Sequence, residues 1–254
     1  MILFMVGGFY MGGWTDIHSH ILPCVDDGSV SLKQSRKMLE IAYKEGITSI
    51  FATPHYSVGC VNMEVKELKK RHESVSDTAR SIDSSFEVLL GNELYYSEDV
   101  IRHLRQGKAL TLNETRYVLV EFPSKESFEN IKTGVHRLLI YGYLPIISHV
   151  ERYASLVDKL DNIQALIDLG AYTQLNISAV QGDAGKDQRK FCKDLIEYDM
   201  LHFLGTNCHN DYRRAPYMKK AVTYLKRKFG EEAINRLLID NPQTLLKNEY
   251  IYSY

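Results

Sequence analysis

Apolar residues along the chain fall into two alternating patterns. Short runs rich in Val, Ile, Leu, Phe and Tyr at residues 14–18, 48–53, 86–90, 117–122, 144–148, 171–176 and 201–205 read as β-strands. Between them the apolar positions recur at helical spacing. Ser31 is placed to cap a helix in which Met38, Leu39 and Ala42 share a face and Gly46 marks the stop. Further helices are expected over 64–82, 99–106, 128–141, 162–169, 188–198 and 216–229. Alternating strands and helices signal βα units and a mostly parallel sheet. Seven strands within 254 residues, with no linker-like or low-complexity stretch, fit a single α/β barrel one strand short of the common eight.

The two chain ends depart from this pattern. Residues 1–13 are uncharged and interrupted by Gly7, Gly8, Gly12 and Gly13. A secretory signal would carry a basic start and a membrane span needs about 20 apolar residues, so an apolar arm is expected and no transmembrane segment. Residues 14–247 form the expected barrel, and 248–254 a tail in which Tyr250, Tyr252 and Tyr254 alternate. That tail reads as a terminal strand or frayed end, or as a segment that is phosphorylated or visits an active site. A net charge of −1 gives no electrostatic reason to expect nucleic acid or an acidic membrane as partner. Cys24, Cys60, Cys192 and Cys208 form no CxxC pair, which suits free thiols in a reducing, cytoplasmic setting.

Candidate chemistry collects where the strands end. His18 and His20 follow the first expected strand, His55 the second and Glu93 the third; Glu121 ends the fourth and His149 the fifth. Asn176 ends the sixth, and Asn207 and His209 follow the seventh. Parallel strands bring these ends to one face, where barrel enzymes keep their catalytic groups. The i, i+2 spacing of His18 and His20 lets both imidazoles reach one ion, with Asp16 placed to orient one of them. Asp27 adds a carboxylate on the next loop, while its neighbour Asp26 reads equally well as a turn residue before Gly28. Glu121 and His149 sit in apolar runs, so each needs a partner or a metal to offset desolvation. This nitrogen and oxygen donor set favours Mn, Fe or Zn, and its size suggests two or three ions, with Glu93 as the bridge. Arg152, Arg213 and Arg214 lie beside these positions and suit phosphate, whose oxygens a guanidinium fork can grip in pairs. His72, His103, His136 and His202 fall inside helix or strand patterns and are read as structural.

The motifs are recognisable together. Thr15-Asp16-Ile17-His18-Ser19-His20-Ile21-Leu22-Pro23, Val25-Asp26-Asp27-Gly28, Ala52-Thr53-Pro54-His55 and His149-Val150-Glu151-Arg152-Tyr153 resemble the polymerase-and-histidinol-phosphatase (PHP) superfamily. Within it the chain is similar to bacterial tyrosine phosphatases of capsule and exopolysaccharide operons, as Gly91-Asn92-Glu93-Leu94-Tyr95-Tyr96, Leu119-Val120-Glu121-Phe122, Tyr172-Thr173-Gln174-Leu175-Asn176 and Ile239-Asp240-Asn241-Pro242 also suggest. The resemblance implies a distorted (βα)7 barrel of the PHP type and a trinuclear, typically Mn-activated centre. It implies metal ligands at His18, His20, Asp27, His55, Glu93, Glu121, His149 and His209, and Arg152 and Arg214 gripping phosphate. The implied substrate is the phosphotyrosine tail of a bacterial tyrosine kinase, hydrolysed by metal-activated water without a phosphoenzyme.

Two positions depart from the family pattern. Thr206-Asn207-Cys208-His209-Asn210 carries Asn207 where a ligand Asp is usual, so an amide oxygen must coordinate there without its charge. Cys24 replaces a usual Gly with no evident consequence. Three rival readings follow. Cys208 and Arg214 have the Cys-x5-Arg spacing of cysteine-dependent tyrosine phosphatases, but no glycine lies between them. A small-molecule phosphatase of the histidinol-phosphate type would differ only in substrate. A barrel attenuated by Asn207 would bind phosphotyrosine without efficient turnover.

Overall fold

The structure, a computed structural model, describes residues 13–181 and 185–252, with nothing said of the Gln181 side chain. Most of the expected N-terminal arm and the last two tail residues lie outside them. The strands are β1 Trp14–Ser19, β2 Ile47–Ala52, β3 His55–Ser57, β4 Glu87–Leu90, β5 Glu93–Tyr95, β6 Tyr117–Glu121, β7 Leu144–Ile147, β8 Tyr172–Asn176 and β9 Phe203–Gly205. All seven expected strands are present, and β3 and β5 are additions. Every pairing is parallel, in the orders β1-β2-β4 and β3-β5-β6-β7-β8-β9.

The two additions have a local cause. Pro54 has no N–H to give to a ladder, so β2 stops before it and resumes as β3. Opposite it, Gly91 and Asn92 separate β4 from β5. The Gly91 N–H still donates to the Ala52 carbonyl (2.9 Å) and the Glu93 N–H to that of Pro54 (3.1 Å), so the alignment carries across the break. At the other side β1 meets the chain after β9. Ser19 and Cys208 form an isolated parallel bridge, Asn207 N–H donates to the His18 carbonyl and His20 N–H to that of Cys208, both at 2.8 Å.

The helices are α1 Leu32–Glu45, α2 Val65–Ile82, α3 Val100–Arg105, α4 Phe128–Ile140, α5 Leu160–Leu169, α6 Ile177–Gln181, α7 Lys186–Glu197, α8 Lys219–Phe229, α9 Glu231–Asn235 and α10 Asn241–Leu246. Of these α6, α9 and α10 were not expected. As read from the sequence, Ser31 caps α1 by accepting from the Gln34 N–H, and Gly46 ends it with φ +100°. The sheet is buried on both faces. In β6, Val118 and Val120 belong to the apolar cluster that also holds Met38, Leu39 and Ala42 of α1. Tyr117 and Leu119 point the other way, into a second cluster with Ile17, Phe51, Ile146 and Phe203. Glu121 is next on that second face, at the strand end.

Through Tyr252 the tail is docked, neither a strand nor a free end. It crosses the strand starts, opposite the face where the candidate ligands gather. Arg116 donates to the Asn248 carbonyl and the Tyr250 hydroxyl (both 2.9 Å) and lies over the Tyr250 ring. Tyr117 donates to the Glu249 carbonyl (2.6 Å).

Candidate metal centre and its anion pocket

Glu93 stands at the middle of the cluster, 1% exposed. Its Oε2 lies 3.1 Å from His18 Nε2, 3.1 Å from His55 Nδ1 and 3.4 Å from His20 Nε2. Its Oε1 lies 2.9 Å from His149 Nε2, which is 3.4 Å from Glu121 Oε1. Asp27 Oδ1 reaches His55 Nε2 (3.5 Å) and His209 Nε2 (3.4 Å). Three ligand groups result, each with its donor atoms within 4.8 Å of one another: His20, Asp27, His55 and His209; His18, His20 and Glu93; His55, Glu93 and Glu121. Eight of the nine expected metal residues therefore converge. The ninth is placed differently: Asn207, at φ +50°, turns its side-chain oxygen to Arg214 Nη2 at 3.0 Å.

The imidazoles are aimed by acceptors that fix their tautomers. His20 Nδ1 faces Asp26 Oδ2 at 2.6 Å, His18 Nδ1 faces Gln174 Oε1 at 3.3 Å, and His209 Nδ1 faces the Asn207 carbonyl at 3.0 Å. With Nδ1 bonded in this way, each ring points Nε2 into the cluster, where a cation in place of any proton would find a ligand. Asp26 is thus more than the turn residue it resembles: it also accepts from the Gly28 (2.9 Å) and His55 (3.0 Å) N–H groups. Asp16, expected to orient an imidazole, does not. It accepts from the backbone N–H of His18 (3.2 Å) and from the N–H (2.9 Å) and hydroxyl of Thr206, tying β1 to the loop after β9. Gln174 takes that role for His18 and also accepts the His149 N–H at 2.8 Å.

Two glycines allow the close packing. A Cβ on Gly28 would lie 2.2 Å from the His20 carbonyl oxygen, and one on Gly205 2.8 Å from His18 Cβ. Cys24 does have a consequence after all: its φ of +55° lies in the left-handed region that favours glycine.

The electrostatics leave room for cations. Burial opposes ionisation of Glu93, but the surrounding His18, His149 and His20 hold it well below the usual carboxylate range. Burial also opposes protonation of His20, yet Asp26 and Glu93 raise it to about 9; at His149 the same burial is overcome by Glu121 and Glu93, again to about 9. Desolvation, helped by positive His20 and Arg214, lowers His209 to about 2. Among the described residues the buried atoms Glu93 Oε2 and His149 Nδ1 have no hydrogen-bond partner, and the Nε2 atoms of His18 and His20 face each other at 3.3 Å. A divalent cation among these nitrogens and oxygens satisfies the facing lone pairs, so the residues fit a metal.

Beside the cluster opens a cavity of about 360 Å³, lined by Arg152, Asn176, Asn207, Arg213, Arg214 and Tyr217 among others. Arg152 and Arg214 are therefore brought together as expected, and Arg213 joins them. The larger depressions, about 830 Å³ against α3 and α4 and about 990 Å³ by the tail, adjoin none of the three ligand groups. Cys208 cannot serve as a nucleophile in this arrangement. It is fully buried, and burial raises its thiol pKa further. The His209 and Asn210 amides are committed to the Arg214 carbonyl rather than open to phosphate.

Fold and site together define a class: parallel α/β proteins with a cluster of His and carboxylate groups able to hold metal at the strand ends. The chain belongs within it to the capsular polysaccharide synthesis family CpsB/CapC, whose family model matches residues 14–247. It is 34% identical to the tyrosine-protein phosphatase CpsB of Streptococcus agalactiae, over 93% of this chain and 99% of that protein. Identity to the tyrosine-protein phosphatase YwqE of Bacillus subtilis is 30%, over 93% of each chain. The structure resembles one described with YwqE from Bacillus subtilis and CpsB from Streptococcus pneumoniae, termed metal-dependent tyrosine phosphatases. The TM-score is 0.87 at 30% identity, covering 94% of this chain and 97% of that one. A phosphotriesterase homology protein from Escherichia coli shares only the fold, with TM-score 0.63 at 14% identity.

Proposed function

We propose that the protein is a metal-dependent protein-tyrosine phosphatase of capsule or exopolysaccharide synthesis, acting in the cytoplasm on the phosphotyrosine tail of a tyrosine kinase. The observation that carries this is the ligand cluster, whose His149 and His209 are sequence neighbours of residues lining an arginine-rich cavity, in a chain of the CpsB/CapC family. Residues 14–247 work as one unit, a distorted (βα)7 barrel of the PHP type. Reading β2 with β3 and β4 with β5 as single strands gives seven, and the Ser19–Cys208 bridge supports closure between the first and last. The cytoplasmic reading has the support of four unpaired cysteines, and among the described residues no helix is long and apolar enough to cross a membrane.

His18, His20, Asp27, His55, Glu93, Glu121, His149 and His209 would hold two or three divalent ions, Mn before Fe or Zn, and Glu93 belongs to two of the three ligand groups. When bound, such ions supply Lewis acidity toward a phosphoryl oxygen and acidify water near neutral pH. The chain's own residues do the rest. Asp26 and Gln174 keep His20 and His18 in the donating tautomer. Arg152 and Arg214 grip the phosphoryl oxygens and offset the charge that builds on them in the transition state. Cys208 is fully buried with its thiol pKa raised, so no phosphocysteine forms.

A second reading rests on Asn207. With an amide bonded to Arg214 where the family pattern has a carboxylate, the protein would bind phosphotyrosine with attenuated turnover. The deciding experiment is hydrolysis of a phosphotyrosine peptide with and without added Mn, alongside elemental analysis. Mn-dependent release of phosphate supports the phosphatase, and tight peptide binding without release supports the attenuated form. No turnover and no binding would overturn both.

A further inference from the structure

The anion cavity carries more positive charge than one phosphoryl group calls for. Three arginines, Arg152, Arg213 and Arg214, line its roughly 360 Å³, and no carboxylate residue lines it among the described residues. Two forks already present more N–H donors than the three non-bridging oxygens of a phosphate monoester need. Arg214 is held in place by the Asn207 side chain and carbonyl, at 3.0 and 3.3 Å. Arg213, one residue before it, has no ion-pair partner among the described residues, and its backbone is fixed between the Asn210–Arg214 contacts. Next along the chain, Tyr217 exposes 54% of its surface at the same cavity. A phosphorylated side chain seated on Arg152 and Arg214 therefore leaves an exposed guanidinium unanswered at the rim.

We infer that Arg213 is a specificity-determining residue that reads a second negative charge on the substrate, close in sequence to the phosphorylated tyrosine. This rests on the tyrosine phosphatase reading above. The second anion is a carboxylate of an acidic neighbour or the phosphate of a second phosphotyrosine. Both present oxygens that a guanidinium binds in pairs. An exposed pair of this kind is worth up to about 1 kcal/mol, or up to about fivefold.

The test compares the full-length protein with Arg213→Gln and Arg213→Lys on three peptides that share a central phosphotyrosine. One has neutral flanks, one has acidic flanks and one carries a second phosphotyrosine. KM and kcat are measured with Mn at low and at physiological salt. Binding of the matching non-hydrolysable phosphonate peptides is measured by calorimetry. The expected result is a KM about two- to fivefold lower for at least one doubly anionic peptide, with kcat little changed and the advantage shrinking with salt. Arg213→Gln should bring the KM ratio close to one, and Arg213→Lys should keep part of it. A preference confined to the doubly phosphorylated peptide assigns the second anion to phosphate; one shared by the acidic peptide assigns it to negative charge in general. Equal KM on all three peptides, or a preference that survives Arg213→Gln, overturns the role of Arg213 and leaves the phosphatase standing. Failure to hydrolyse any phosphotyrosine peptide overturns both.

Discussion

Replacing Asp26 tests whether the acceptors behind the imidazoles matter as much as the ligands themselves. Its carboxylate makes one charge-assisted contact, to His20 Nδ1 at 2.6 Å, and accepts from the Gly28 and His55 N–H groups at 2.9 and 3.0 Å. A hydrogen bond to a charged group contributes about 1.5–3 kcal/mol. Loss of an acceptor behind a metal-bound His lowers metal affinity by about 10- to 100-fold, which is about 1.4–2.7 kcal/mol. The two routes agree. Asp26→Ala should therefore weaken ion binding by about 100-fold. Asp26→Asn, which keeps the shape and one acceptor oxygen, should weaken it by about tenfold. Mn titration of chelator-treated protein by calorimetry, with bound metal counted by elemental analysis, gives both numbers. Asp77→Asn, an exposed pair on α2, serves as the control and should change nothing. If Asp26→Ala binds Mn as tightly as the parent, the aiming of His20 by this carboxylate is irrelevant to the metal.

Four further outcomes are expected. Asn207→Asp should raise metal occupancy and phosphotyrosine turnover by about tenfold or more, as restored charge at a catalytic metal site would; equal occupancy and equal rates would show that position 207 needs no charge. Arg152→Ala and Arg214→Ala should each cut turnover by about tenfold to a thousandfold at nearly constant metal content, and full activity in both would move the clamp elsewhere. Cys208→Ser should retain most activity while a chelator abolishes it, and a trapped phosphocysteine would refute that. For His202, burial and then Arg236 lower the pKa from 6.5 to about 4, while Nδ1 accepts the Thr173 N–H. The unfolded chain takes up this proton first, so the contribution is complete above pH 6.5 and is lost as pH falls toward 4. It amounts to about 3 kcal/mol at most; thermal melts of His202→Gln should fall less steeply with acid than those of the parent, and parallel curves would count against it.

Much of the fold was legible because its signals are periodic. Every strand of four or more residues and seven of the helices follow apolar spacing that the sequence displays directly. The three-residue segments β3 and β5 follow Pro54 and Asn92, which read as ends rather than pauses. The candidate ligands were legible because ionisable side chains at strand ends stand out against apolar runs. What lies behind them was not. Asp26 and Asp27 are adjacent acids on one turn, and nothing in their order says which faces a metal and which an imidazole. Gln174 is a neutral residue inside a strand, indistinguishable by pattern from a residue filling the core. Asp16 was misassigned because sequence proximity to His18 suggested a contact that the loop from β9 takes up instead.

The fixed tautomers of His18, His20 and His209 also bear on which metal the protein carries. Their Nδ1 atoms are already engaged inside the folded chain, so the ring planes are set before any ion arrives. Uptake then resembles filling a socket rather than moulding one. Ions of similar radius that accept nitrogen and oxygen donors would meet the same ring orientations, with little rearrangement to tell them apart. Discrimination among Mn, Fe and Zn would then fall to the supply in the cell or growth medium, with Mn held where it outnumbers the ions that stand above it in the general order of divalent affinities. Protein isolated from media of different trace-element content should accordingly carry different metals on one unchanged scaffold.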